Sequence, residues 1–279
     1  MSEANGYFNA YGNAARKDKH DYAIHLGDYL YETGRGGERA TKPSGTIWTL
    51  GDYRTRHGLY RSDADLQLLS KNSPWITTWD DHDNGYRDGF SGLNNTEDSF
   101  LKSGTKVTVD TRKVHAVRAY FEWMPIRQTD VDDGLRVWRS FQMGKLMDLI
   151  ILDTRNYDRS ITDLYWNKHY ISEIADDPSR SLMGARQENW FYRSLSQSKE
   201  RGATWRIIGN QIVFSRILQN DNRGLNGDAW DGYIANRNRT LQHMYDNKID
   251  NNIFLAGDSH QNWERVKLLL LLLMLILGV

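Results

Sequence analysis

No cysteine occurs in the chain, which excludes disulfides, thiolate metal sites and cysteine nucleophiles. It does not fix a compartment, because a protein without disulfides can live anywhere. A net charge of either sign is also missing. Lys+Arg and Asp+Glu each total 36, so no global field points to nucleic acid or an anionic membrane, and no nucleic-acid-binding domain is expected. The opening Met1-Ser-Glu-Ala-Asn-Gly has neither a basic nor an apolar region, so it does not read as a signal peptide. No apolar run has the length of a bilayer span. Leu268 to Val279 is almost pure Leu, Met and Ile, yet reaches only about half the ~20 residues required. It follows a polar, aromatic segment with no linker. We read 264–279 as a tail of foreign or truncated origin, and secondarily as membrane-associating.

What remains is 279 residues, enough for one large α/β domain with a substantial core. Ten Trp and fifteen Tyr raise the alternative of a carbohydrate-binding module. The Trp residues, however, are scattered among predicted core strands and loops rather than set in a row. Strand and helix patterns alternate, which argues an α/β sandwich with a parallel or mixed sheet. Helices are predicted over 7–19, 52–70, 113–123, 186–202 and 235–247. Strands are predicted over 21–26, 74–79, 135–141, 146–152, 204–208 and 252–256. Residues 90–111 read as a polar loop and 158–183 as an irregular insertion. There is no internal repeat, heptad seam or interdomain linker.

Five strands end in groups that suit hard cations: Asp28 with Tyr31, Asp81 with His82, Asp153 with Arg155, Asn210, and Asp258 with His260. In an open α/β sheet such ends cluster in space. Carboxylate, amide and phenolate oxygens suit calcium, magnesium, manganese and ferric iron, and imidazole suits iron or zinc. The mixed set argues two ions of different preference. A metal pair suits phosphoester hydrolysis, which needs water activation and charge at the phosphoryl oxygens. His82, next to Asp81, is a candidate proton donor, and Arg155 a candidate phosphate fork. Each piece also has a plainer reading. Asp80-Asp81-His82-Asp83 can be a solvated turn, Arg155 a structural ion pair, Asn210 a turn residue and Asp258 a helix cap. His25 reads as a packed core histidine. Trp230-Asp231-Gly232-Tyr233 reads equally as a packing cluster or a substrate wall.

His25-Leu-Gly-Asp-Tyr-Leu-Tyr-Glu32, Thr78-Trp-Asp-Asp-His-Asp83, Leu152-Asp-Thr-Arg155, Ile208-Gly-Asn-Gln211 and Leu255-Ala-Gly-Asp-Ser-His-Gln-Asn-Trp263, in that order, resemble the PhoD-type alkaline phosphatases. That family lies within the calcineurin-like metallophosphoesterases. The resemblance spans 1–263 and implies a four-layer α/β/β/α sandwich. It implies Fe3+ paired with Ca2+, with Mn2+, Mg2+ or Zn2+ as alternatives, and monomeric action on phosphomonoesters or phosphodiesters at alkaline pH. Carried over, Asp28 bridges the ions and Tyr31 and His260 bind iron. Asp81, Asn210 and Asp258 serve the second ion, and His82 and Arg155 face the phosphate. Family members carry a cysteine iron ligand on a strand before the segment that here begins at Gly6, and they continue past the Asp-x-His segment. They are commonly exported. The chain is therefore expected to lack that strand, and a catalytically weakened relic that still binds phosphate or calcium is the alternative.

Overall fold

The computed structural model describes residues 7–34, 40–84, 107–164, 166–216 and 226–260. The 264–279 tail and most of the polar loop expected over 90–111 lie outside them.

Helix α1 (Asn9–Lys17) leads to the short strand β1 (Ala23–His25). The single helix expected over 52–70 is two: α2 (Leu50–Arg61) and α3 (Ala64–Asn72). Asp63 makes the break. Its carboxylate accepts the Leu66 N–H at 2.9 Å as an N-cap and the Phe8 N–H at 3.3 Å, so it favours a new helix start over helix continuation. Upstream, Thr49 and Asp52 form a reciprocal capping box on α2. Strand β2 (Trp75–Thr77) then pairs parallel to β1, and a single turn, α4 (Asp81–Asn84), follows it directly. Helix α5 (Val109–Trp123) starts from a Thr108 cap.

Strands β3 (Arg139–Met143) and β4 (Met147–Ile151) form an antiparallel hairpin around Gly144. The predicted strand over 135–141 thus begins four residues later. The 158–183 insertion holds one short helix, α6 (Lys168–Ile174). Helix α7 (Gly184–Glu200), strand β5 (Trp205–Gly209), a 3-10 turn (Trp230–Tyr233), α8 (Ile234–Asp246) and β6 (Asn252–Leu255) complete the order. β4, β5 and β6 run parallel, so the second sheet is mixed, in the order β3-β4-β5-β6.

Three apolar layers fix the stacking. Phe8, Tyr29, Tyr53, Tyr60, Trp79 and Tyr120 fill the space between α1, α2, α3, α5 and the first sheet. Ile76, Leu149 and Ile151, with Leu26 and Ile207, join the two sheets. Ile150, Leu152, Phe191, Leu195, Ile208 and Met244 seat α7 and α8 on the far face. The alternation along β4, with Leu149 and Ile151 inward and Ile150 outward, is the period-2 consequence of a strand buried on both faces. The result is the helix, sheet, sheet, helix order expected from the sequence, and it brings the carboxyl ends of five parallel strands to one rim. Among the described residues, no helix is long and apolar enough to cross a membrane.

Candidate metal centre

β1 ends against the start of the β2 loop with no room for a side chain at residue 27. A Cβ there would lie 2.4 Å from the Asp80 Cβ, and Gly27 has φ +111°. That contact sets Asp28 beside Asp80 and Asp81. Asp83 ties the two loops by accepting the Leu30 N–H at 3.1 Å and the Asp80 N–H at 2.9 Å. Buried Arg56 collects the carbonyls of Tyr31, Thr33 and Lys42, holding the chain that leaves Asp28.

The three residues expected at the first ion meet. The Tyr31 hydroxyl donates to Asp28 Oδ2 at 3.0 Å and lies 3.0 Å from His260 Nε2, which is 3.9 Å from Asp28 Oδ2. Asp28, Asp258 and His260 all hold left-handed backbone, with φ of 52°, 57° and 53°, a conformation that costs roughly 1–2 kcal/mol per non-glycine residue. Such conformations persist where the surrounding fold over-determines them, as at ligand sites.

Two groups of candidate ligand atoms, each within 4.8 Å of one another, overlap at Asp81: Asp28 with Asp81 and His82, and Asp80 with Asp81 and Asp258. His82 stacks on Tyr31 with ring centroids 4.0 Å apart, and its Nδ1 donates to Glu32 Oε2 at 2.8 Å. Burial opposes the imidazolium, but the Glu32 hydrogen bond and charge, with Asp81 and Asp28, outweigh it and hold the pKa at about 9. Asp80 is raised well above the usual carboxylate range, first by burial and against the pull of Arg155. Asp28 is raised by burial and then by Asp81, and Asp83 is pushed to about 7 by burial and then by Asp28. Burial and then the Asp28 charge also raise Tyr31, so its phenol keeps its proton unless a cation replaces it.

These residues fit hard cations. The donors are oxygens with imidazoles at the edge, the carboxylates crowd against their own charge, and the buried Asp80 Oδ2 has no hydrogen-bond partner among the described residues.

Two expected site residues are sealed and engaged with other side chains and backbone of the chain. Arg155 has no exposed surface, and its guanidinium ends on Asp80, Asp228 and Asp258 rather than facing the open side. Asn210 is also sealed. Its amide donates to Leu255 O at 2.8 Å and accepts the Trp230 indole N–H at 3.1 Å, so it joins β5 to β6 and to the 3-10 turn. The Trp230 to Tyr233 segment is buried, which settles it as packing. His25 is core-facing as read: it meets the Tyr11 hydroxyl at 2.7 Å and stacks on Trp75. Asp153 is fully buried and accepts the Trp79 indole N–H at 2.9 Å, so it serves the frame.

Sequence reasoning missed Glu32, Asp80 and Asp228. Glu32 and Asp80 stood beside residues already singled out, but which neighbour of a ligand turns inward has no sequence signature. Gln211 was likewise quoted without a role. Its amide stitches the ends of β2 and β4 to β5, donating to Thr78 and Leu152 O and accepting from Thr154.

Residues 2–266 match the family described as PhoD-like phosphatase. The chain belongs to that family. It is 34% identical over 274 residues to alkaline phosphatase D of Bacillus subtilis (strain 168), a match that covers 92% of this chain and 44% of that protein. The solved structure of PhoD superposes with a TM-score of 0.75 at 32% identity, over 93% of this chain and 49% of the other. A purple acid phosphatase from yellow lupin (Lupinus luteus) seeds shares the fold alone, with a TM-score of 0.50 and 14% identity over 90% of this chain. The chain spans about half the length of the PhoD-like relatives it matches.

Proposed function

We propose that this chain hydrolyses phosphate esters at a two-ion centre, acting as a monomer on phosphomonoesters or phosphodiesters. The observation that supports it most directly is the convergence of Asp28, Tyr31 and His260 with Asp80, Asp81, His82 and Asp258 on one rim, in a chain of the PhoD-like phosphatase family. In this reading Asp28, Tyr31 and His260 would hold Fe3+, and Asp81, Asp258 and Asp80 would hold Ca2+, with Asp28 close enough to Asp81 to serve both. Asp80 replaces Asn210, whose amide is engaged in the scaffold.

Bound ions supply Lewis-acid charge that lowers the pKa of water and offsets the phosphoryl oxygens. The rest falls to the chain's own groups. As the water oxygen bonds to phosphorus and the P–O bond to the alcohol breaks, His82 passes its Nε2 proton to the departing oxygen. One proton of the water passes to solvent, from which His82 regains its own, and the products are an alcohol and phosphate, or an alcohol and a phosphomonoester where the substrate is a diester. Glu32 holds the opposite ring nitrogen and so fixes both the tautomer and the ring plane. Stacking on Tyr31 restrains the ring further.

The test uses the full chain loaded with Fe3+ and Ca2+ and a chromogenic aryl phosphate at alkaline pH. The expected results are turnover that is lost on chelation and in Asp28→Ala, and a visible tyrosinate-to-iron absorption band lost in Tyr31→Phe. A metal-loaded sample with neither turnover nor the band overturns this reading. The band and Ca2+ binding without turnover instead support a catalytically weakened relic.

A further inference from the structure

Each arm of the Arg155 guanidinium ends on a carboxylate from a different part of the chain. Nε donates to Asp80 after β2, Nη1 to Asp228 at 2.7 Å, and Nη2 to Asp258 after β6 at 2.6 Å. The Arg155 backbone is fixed as well, since its N–H donates to Asp153 Oδ1 at 2.9 Å. Asp153 is in turn locked through its own N–H to Gln187 at 2.8 Å.

Asp228 is held from the far side. Its Oδ1 accepts from Arg159 Nη2 at 3.0 Å and from the Thr162 hydroxyl at 2.8 Å. Arg159, also fully buried, donates through Nε to the Tyr233 hydroxyl at 3.1 Å. A continuous brace therefore runs from the 158–183 insertion, through Asp228 and Arg155, to the two carboxylates that stand with Asp81.

Its charges do not cancel. Two guanidiniums, Arg155 and Arg159, face three carboxylates, and Asp80 Oδ2 is buried with no hydrogen-bond partner among the described residues. A planar fork with fixed donors can hold one oxygen of each carboxylate in place while the other stays turned toward an ion, which a lysine, as a single point charge, cannot do.

We propose that Arg155 is a positioning residue of the metal centre. It is a permanent internal cation that sets Asp80 and Asp258 to receive the second ion, and Asp228 with Arg159 fixes it in place. The proposal rests on the two-ion reading above, but it makes Arg155 a scaffold for the ion instead of a phosphate contact.

The experiment is calorimetric titration of the full chain with Ca2+ alone and with Mn2+ alone, without substrate, beside the visible spectrum of the Fe3+-loaded chain and the inhibition of its aryl phosphate turnover by inorganic phosphate. It is run on the unsubstituted chain, Arg155→Lys and Asp228→Asn, with far-UV circular dichroism as the check on folding. Outer partners of metal ligands typically change affinity by 10- to 100-fold. The expected result is a loss of roughly that size for the second ion in both variants, with Arg155→Lys the more affected and the Tyr31-linked iron band kept. If Arg155→Lys does not fold, Asp228→Asn decides, because it keeps Arg155 and two of its three pairs.

Unchanged Ca2+ and Mn2+ affinity in the folded variants overturns the positioning role and leaves the phosphoesterase reading intact. So does weaker competition by inorganic phosphate at unchanged ion affinity, which is what a direct phosphate contact predicts. No binding of either ion by the unsubstituted chain instead overturns the two-ion reading itself.

Discussion

Beyond β1 and β2, the candidate ligands Asp28, Tyr31 and His82 stand against one another and reach the surface. Beyond β4 and β5, by contrast, Asp153, Arg155, Asn210 and Gln211 are sealed, and each is tied to several partners. The contrast separates two jobs. A group that trades partners with water, ion and substrate cannot be committed to the protein. A group that only locates others gains from full commitment, because an unpaired buried charge costs several kcal/mol. The loops after β1, β2 and β6 carry the candidate ligands, and the ends of β4 and β5 hold the frame around them.

Substitutions on the two sides should therefore fail differently. The largest effect on stability is expected from Arg155→Met. It strands the buried Asp80 and takes one partner each from Asp228 and Asp258, and breaking a buried pair typically costs about 3–5 kcal/mol, which is readable by urea denaturation of the ion-free chain. Asp28→Asn is the opposite case. Activity on an aryl phosphate should fall on the order of 10²-fold or more, since a displacement of 1 Å at a reacting centre has that effect. Stability without ions should be unchanged or higher, because a carboxylate crowded by burial and Asp81 is neutralised. A large stability loss in Asp28→Asn would erase the distinction between the sides.

Trp230→Phe tests the sealed side more gently. It leaves Asn210 Oδ1 without the indole donor, at a cost of about 1–3 kcal/mol, with KM nearly unchanged.

The most gradual effect, spread over several pH units, concerns acid. His57, stacked between Tyr29 and Trp123 in the aromatic layer, is lowered to about 3, first by burial and then by Arg61. The unfolded chain binds this proton below about pH 6.5, and the folded chain only near pH 3. Stability from this residue is therefore full above pH 6.5 and lost as pH falls toward 3, by up to about 1.4 kcal/mol per pH unit. His57→Phe should flatten that slope relative to the unsubstituted chain in chemical denaturation at pH 4 to 6.5. Equal slopes would show that the imidazole is not held neutral.

Much of this was legible in the residues. Five of the expected strands are present as β1, β2, β4, β5 and β6, because an apolar run closed by a polar residue is a local signal. The Tyr31 hydroxyl does lie 3.0 Å from both Asp28 and His260. The break at Asp63 was not legible, because apolar residues keep helical spacing across it and only the cap geometry reveals the new start. Nor was the fate of Arg155. An arginine four residues past a strand end can turn toward solvent or fold back, and its partners lie 73 to 103 residues away.

The sequence by itself determined the α/β alternation, the family and the residue types that gather at the rim, because periodicity and short motifs are properties of neighbours along the chain. Only the tertiary structure decided which of those polar groups face outward as ligands and which are spent inside. Asp80 turned inward beside Asp81, Asn210 went to Trp230, and Arg155 closed on three carboxylates. That division is set by burial and by partners distant in sequence. A charge taken out of water must find its counter-charge wherever the fold delivers one.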